Sequence, residues 1–253
     1  MANCRPSALP MEQHCKLHND ESETKVDASR YRRLVGKLQY LTVTCPDIVY
    51  AVNILNQFTS EPKHSHVVAV ERVLRYLKCT PGQGILLRSE GNLELEAYCD
   101  ADWGGCPLTR RSSSGYFISL GGSPMPWRTK KQNVVAKSSA EPEYRAMACT
   151  VSEVLWLRWL LKELQEQQSK ATSLYCDNQA AIHIATNPVF HERTKHAEMD
   201  CYFVRERYQS GEIMPRNVWT RDQLAYMLTK ALGKERLKAL MGKLGIANLH
   251  APL

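Results

Sequence analysis

Two strand-like runs in this chain end in the same three residues, Tyr98-Cys99-Asp100 and Tyr175-Cys176-Asp177. Between them, Ser138-Ser139-Ala140-Glu141-Pro142-Glu143 opens a helical pattern with acidic residues. Two strand-end aspartates and a helix-borne glutamate, remote from one another in sequence, form a donor set that can hold divalent metal from opposite sides. Carboxylates suit Mg²⁺, a hard ion that prefers oxygen ligands and keeps waters for a substrate. The chemistry within reach of such a set is metal-dependent phosphoryl transfer.

Strand register decides where those carboxylates point. Leu93-Glu94-Leu95-Glu96-Ala97-Tyr98-Cys99-Asp100 alternates with period two, so Leu93, Leu95, Ala97 and Cys99 face one way and Asp100 the other. Asp102 shares that parity but falls in the following turn. Asp177 is likewise opposed to Leu174 and Cys176. Either Asp177 or Asn178 could also cap the helix that follows, since both side chains accept from backbone donors.

Around these runs the spacing of apolar residues sets the elements. Residues 1–28 read as a polar, flexible lead. Helical stripes follow at Tyr31, Leu34, Val35, Leu38 and Leu41, then at Ile48, Val52, Leu55 and Phe58, then at Val67, Val70, Val73, Leu74 and Leu77. Thr80-Pro81-Gly82-Gln83-Gly84 stops the third helix. Residues 114–120 and 134–137 look like further strands, with Trp127 between them and a hairpin turn at Gly121-Gly122. A long helix over 139–167, a strand at Leu174-Tyr175-Cys176, helices over 178–186 and 197–210, and an extended run over 213–219 complete the pattern. Thr220 with Gln223 three residues later reads as a capping box for a last helix.

Composition narrows the function classes. The 253 residues carry 33 Lys and Arg against 26 Asp and Glu, a formal charge of +7, which makes an anionic polymer a plausible partner. Nine cysteines occur without a secretory signal pattern, several of them inside apolar strand runs, which points to a reducing compartment, cytoplasmic or nuclear and not secreted. No apolar stretch approaches a membrane span. Cys4, His14, Cys15 and His18 do not have paired zinc-ligand spacing.

Several blocks taken in order resemble one known family. Tyr98-Cys99-Asp100-Ala101-Asp102-Trp103-Gly104-Gly105, Thr109-Arg110-Arg111-Ser112, Gly115-Tyr116, Trp127, Lys130-Lys131-Gln132, residues 138–146, Tyr175-Cys176-Asp177-Asn178 and Arg193-Thr194-Lys195-His196 resemble the ribonuclease H domain of Ty1/copia-type retrotransposon polyproteins, the plant forms especially. Upstream, residues 31–41 and 73–78 resemble the segment that joins the reverse transcriptase to that domain. The resemblance implies an α/β fold, a ribonuclease H-like mixed sheet of three antiparallel strands plus parallel strands, flanked by helices and preceded by a small helical segment. The expected division is a lead over 1–28, a reverse transcriptase-derived connection over 29–90, a ribonuclease H-like domain over 91–235 and a C-terminal helix and tail over 236–253. With no paired-aspartate polymerase motif in these residues, the chain is not expected to polymerise.

The resemblance also implies a four-carboxylate site holding two Mg²⁺ or Mn²⁺ ions. Asp100 matches the first carboxylate and Asp177 the third. Glu143 matches the second better than Glu141, because the family's ligand glutamate is followed by two residues and alanine, as in Glu143-Tyr144-Arg145-Ala146. Glu141 has another role open to it, a capping box with Ser138. Pro142 stands where the family has a small residue, so the helix is expected to start a residue late. At the fourth position Tyr226 replaces aspartate, and a neutral phenol cannot serve as a hard-ion ligand at neutral pH. Asp222, one helical turn earlier, is the candidate substitute, and it also reads as an acidic residue favoured at a helix N-terminus.

Phosphate contacts are expected from Arg128, Lys130 and Lys131 beside Trp127, together with Arg110, Arg111, Arg193 and Lys195. The implied function is a ribonuclease H acting on the RNA strand of RNA–DNA hybrids, impaired by Tyr226, originally working beside the rest of a reverse transcriptase. The alternative is a catalytically inactive relic that at most binds nucleic acid.

Overall fold

Apolar residues at helical spacing build the first part of the chain. The computed structural model describes residues 4–13, 15, 17–18, 22–89, 92–187 and 198–248. Helices α1 (Ala28–Leu41), α2 (Val49–Asn56) and α3 (His64–Cys79) bury Tyr31, Val35, Leu38, Val52, Leu55, Val70 and Val73 in one core. Asp27 caps α1, its carboxylate accepting from Ser29 N at 2.9 Å, which gives the helix a fixed start. The lead is not wholly apart from this core: Met11 and Leu17 are buried in it. Hydrogen bonds add to this burial, Ser7 N donating to Arg75 O at 3.1 Å and His64 N to Thr24 O at 3.2 Å.

Asp47, in the 3₁₀ turn before α2, is buried and accepts from Tyr76 Oη at 2.5 Å and Gln83 Nε2 at 2.8 Å. Burial raises its carboxyl above the ordinary range, although both hydrogen bonds pull the other way. A raised folded-state pKa contributes stability at low pH that is lost as pH rises through it. From about pH 4 upward, wild type should therefore lose more stability than Asp47→Asn, as read by denaturant midpoints at successive pH values.

After a short strand, β1 (Gln83–Ile85), the second compact unit spans residues 87–229. Its sheet is ordered β4-β3-β2-β5-β6, with β2 (Leu95–Asp102), β3 (Ser113–Leu120) and β4 (Ser123–Lys131) antiparallel, and β5 (Thr172–Cys176) and β6 (Ile213–Asn217) added in parallel. This is the ribonuclease H-like mixed sheet that the resemblance implies. Gly121 and Gly122, at φ of 57° and 75°, make the two-residue turn between β3 and β4. Both take positive φ, the geometry that matches the twist of a tight hairpin. A turn that short forces the third strand to begin at Ser123, so Trp127 lies within it, and residues 134–137 are irregular rather than the strand their composition suggests.

Helix α4 (Ala140–Glu163) lays Tyr144, Met147, Val151, Val154, Leu157 and Leu161 over the sheet face formed by Leu95, Ala97, Cys99 and Ala101. Helices α5 (Gln179–Thr186) and α6 (Glu198–Gln209) join the same core through Ala181, Ala185, Cys201 and Val204. A 3₁₀ turn (Thr220–Asp222) and the one-turn helix α7 (Tyr226–Thr229) close the unit. They replace the single capped helix expected there, because Gln223 is extended at φ −70° and ψ 105° and breaks the path.

Residues 230–248 group with the first unit. Helix α8 (Lys234–Lys243) buries Leu237 and Leu240, and β7 (Ile246–Asn248) pairs antiparallel with β1 through Ile85 and Ile246. No described helix is long and apolar enough to cross a membrane.

Candidate functional site

Asp100 lies near the end of the central strand β2, on the face away from α4, and only 1% of its surface is exposed. A charged group is buried at such a cost only where partners compensate. Thr229 Oγ1, fully buried, donates its one proton to Asp100 Oδ2, with Tyr226 O 3.2 Å away as the weaker, alternative acceptor. Gly115, paired with Asp100 across the ladder, makes this approach possible. A Cβ there would lie 2.7 Å from Thr229 Cγ2 and 3.1 Å from Leu228 Cβ. Gly115→Ala should thus push α7 off the sheet and cost about 1–3 kcal/mol, the usual penalty of overpacking, in a denaturant titration.

Glu143 sits in the first turn of α4 and is buried. The helix starts at Ala140, one residue after the start read from the pattern, and Pro142 falls in its first turn, where its missing N–H costs nothing. Glu141 does not box with Ser138. Its Oε2 accepts from Lys137 N at 2.7 Å and its Oε1 pairs with Arg145 at 3.1 Å, which leaves it engaged in fixing the loop ahead of the helix.

Asn178, not Asp177, caps α5: its side chain accepts from Ala181 N at 3.0 Å. Asp177 Oδ2 instead accepts from Thr220 Oγ1 at 3.0 Å. One donor atom each from Glu143, Cys176 and Asp177 come within 4.8 Å of one another, with Cys176 Sγ 3.8 Å from Glu143 Oε2. Asp100 is outside this group of three. The Cys99 thiol, one residue away from it, is pushed well up, first by its hydrogen bond with Cys176, then by burial, with the charges of Glu143 and Asp100 adding to the effect. Cys99 faces α4 inside the core and serves as a packing residue.

Asp222 is not drawn into the group. It ends the 3₁₀ turn, half-exposed, with Arg221 Nε 3.3 Å from its Oδ2, and the break at Gln223 removes the one-turn relation to Tyr226 on which its candidacy rested. Tyr226 is half-buried at the start of α7, one turn ahead of the threonine that holds Asp100. The sequence reading missed both Thr229 and Gln223. Thr229 carried no local signal, and the Thr220-to-Gln223 spacing pointed to a cap that does not form.

Of the basic candidates, Arg128 and Lys130 are exposed on one side of the edge strand β4. Lys131 points the other way and donates to Cys106 Sγ at 2.8 Å. Burial opposes ionisation of that thiol, but Lys131 and the donors around Thr109 outweigh it and bring it down to about 7. Arg193, Lys195 and His196 lie outside the described residues.

The chemistry of the donor set fits a divalent cation. Two carboxylates converge, those of Glu143 and Asp177, oxygen donors of the kind a hard ion selects, with the softer Cys176 thiol beside them. The sequence is 42% identical over 249 residues to the retrovirus-related Pol polyprotein from transposon RE1 of Arabidopsis thaliana, covering 98% of this chain and 17% of that one. To the corresponding polyprotein from transposon RE2 of the same plant it is 44% identical over 246 residues, 97% of this chain and 17% of that one. The chain thus spans about a sixth of the length of these relatives. No family model matches. Among solved structures it is similar to LC11-RNase H1 isolated from compost, with a TM-score of 0.41 and 11% identity, covering 59% of this chain and 99% of that one.

Proposed function

Because the chain belongs to the Pol polyproteins of copia-type retrotransposons, we propose that its second unit is a metal-dependent ribonuclease H that hydrolyses the RNA strand of RNA–DNA hybrids. The observation that carries this reading is the convergence of Glu143 and Asp177, from a helix start and a strand end, within 4.8 Å. These two would hold a divalent cation, with Asp100 supplying a further carboxylate from the central strand. When bound, the cation supplies Lewis-acid stabilisation of phosphate charge and an activated water. The chain's own part is placement: Thr229 fixes the Asp100 carboxylate, Thr220 fixes that of Asp177, and the first turn of α4 fixes Glu143. Tyr226 in the fourth position leaves three acidic donors, which favours Mn²⁺ over Mg²⁺, since Mg²⁺ demands near-ideal octahedral geometry.

Arg128 and Lys130, side by side on β4, are suited to the phosphates of a hybrid, which is read by shape and 2′-hydroxyls more than by sequence. Purified chain, a labelled hybrid and either Mn²⁺ or Mg²⁺ test the proposal. Cleavage that depends on the metal and is stronger with Mn²⁺ is expected, and absence of cleavage with both ions would refute it. Tyr226 also favours a second reading, an inactive relic that binds nucleic acid. That reading requires salt-sensitive binding, indifferent to chelators, without turnover.

A further inference from the structure

Gln223 is fully buried, and its carboxamide reaches two strands at once. Strands β2 and β5 are paired in parallel from Glu96 and Ser173 through Tyr98 and Tyr175, where the ladder ends. At that end Gln223 Nε2 donates to Cys99 O at 2.9 Å and to Tyr175 O at 3.3 Å. Its Oε1 accepts from Ala225 N at 3.1 Å, so the amide is held in one orientation by the backbone two residues on. The Cys99 carbonyl belongs to the peptide that leads into Asp100. The Tyr175 carbonyl belongs to the peptide that leads into Cys176 and then Asp177. One side chain therefore ties together the two strand ends that carry the aspartates, and six residues further on the same segment delivers Thr229 to Asp100.

We propose that Gln223 is a positioning residue that sets the separation of the Asp100 and Asp177 strand ends and thereby the affinity of the site for a divalent cation. This rests on the reading of that site as metal-binding. Where two parallel strands part, the ladder no longer fixes how far they open; the Cys99 thiol makes a weak link across the gap, donating to Tyr175 O at 3.5 Å, and a buried amide that donates to both carbonyls supplies the stronger restraint. Outer groups that orient metal ligands typically alter affinity by about 10–100-fold when lost. A residue that only fills the core would alter the melting temperature and leave the affinity of the folded molecules unchanged.

The test is Mn²⁺ titration of the full chain by calorimetry, with circular dichroism and thermal melting run on the same samples. Gln223→Leu keeps the size and removes both polar groups. Gln223→Asn keeps the amide but is one methylene too short to reach both strands. Each folded variant is expected to bind Mn²⁺ about tenfold more weakly than wild type. Wild-type affinity in either folded variant would overturn the proposal, and so would failure of both to fold, which would assign Gln223 to core stability instead. A wild-type chain that binds no Mn²⁺, or whose binding survives Asp177→Asn, would instead sink the metal-site reading itself.

Discussion

Asp100→Asn is expected to lower hybrid cleavage by about two to three orders of magnitude, the scale on which loss of one preorganised electrostatic group acts in an active site. The substitution is nearly isosteric, and the asparagine carbonyl can still accept from Thr229, so the hydrogen bond that fixes the side chain survives. What disappears is the negative charge on the central strand. Since burying an ionised carboxylate is costly, removing the charge should leave the thermal midpoint unchanged or raise it. Initial rates at saturating Mn²⁺, compared with melting curves of the same preparations, separate the two effects. A variant that cleaves as fast as wild type would remove Asp100 from the chemistry.

Tyr226→Asp is expected to act in the opposite direction, raising the rate about tenfold, equivalent to about 1.4 kcal/mol of barrier. The position is half-buried at the first residue of α7, where an acidic side chain is also favoured by the helix end. The Thr229 hydroxyl is near only the backbone oxygen of Tyr226, so the change of side chain leaves the Thr229 link to Asp100 in place. The gain should be larger with Mg²⁺ than with Mn²⁺, narrowing the preference between the ions. Tyr226→Asn is the control, because it relieves the same bulk without adding charge. An equal gain in both variants would show that the phenol obstructs substrate rather than standing in for a ligand.

Much of the fold was legible in local patterns. The alternation that set Asp100 apart from Cys99 holds in β2, and the stripe Tyr144, Met147, Val151 and Leu161 does face the sheet. The strand carrying Trp127 was harder to read, because Ser123-Pro124-Met125-Pro126 looks like a loop. Two prolines are tolerated there since β4 lies at the sheet edge, and Pro215 in β6 occupies the opposite edge. Gln223 illustrates a different limit. Its spacing from Thr220 satisfies the local rule for a helix cap, but two carbonyls more than 40 residues away in sequence take its donors, and Thr220 turns to Asp177. Local pattern shows which groups are available and not which distant partner claims them.

The antiparallel ribbon of β1 and β7 has a genetic consequence. The chain leaves its first unit at residue 86 and comes back to it at residue 230, so the second unit is an insert within the sequence of the first. A stop codon just after residue 229 would preserve every acidic side chain discussed above and yet strip the upstream helices of α8 and of the strand that zips to Gln83–Ile85. Late nonsense mutations should therefore damage the beginning of this protein, and limited proteolysis of such a product should cut first among residues 28–86 while sparing the sheet strands β2 to β4 and helix α4.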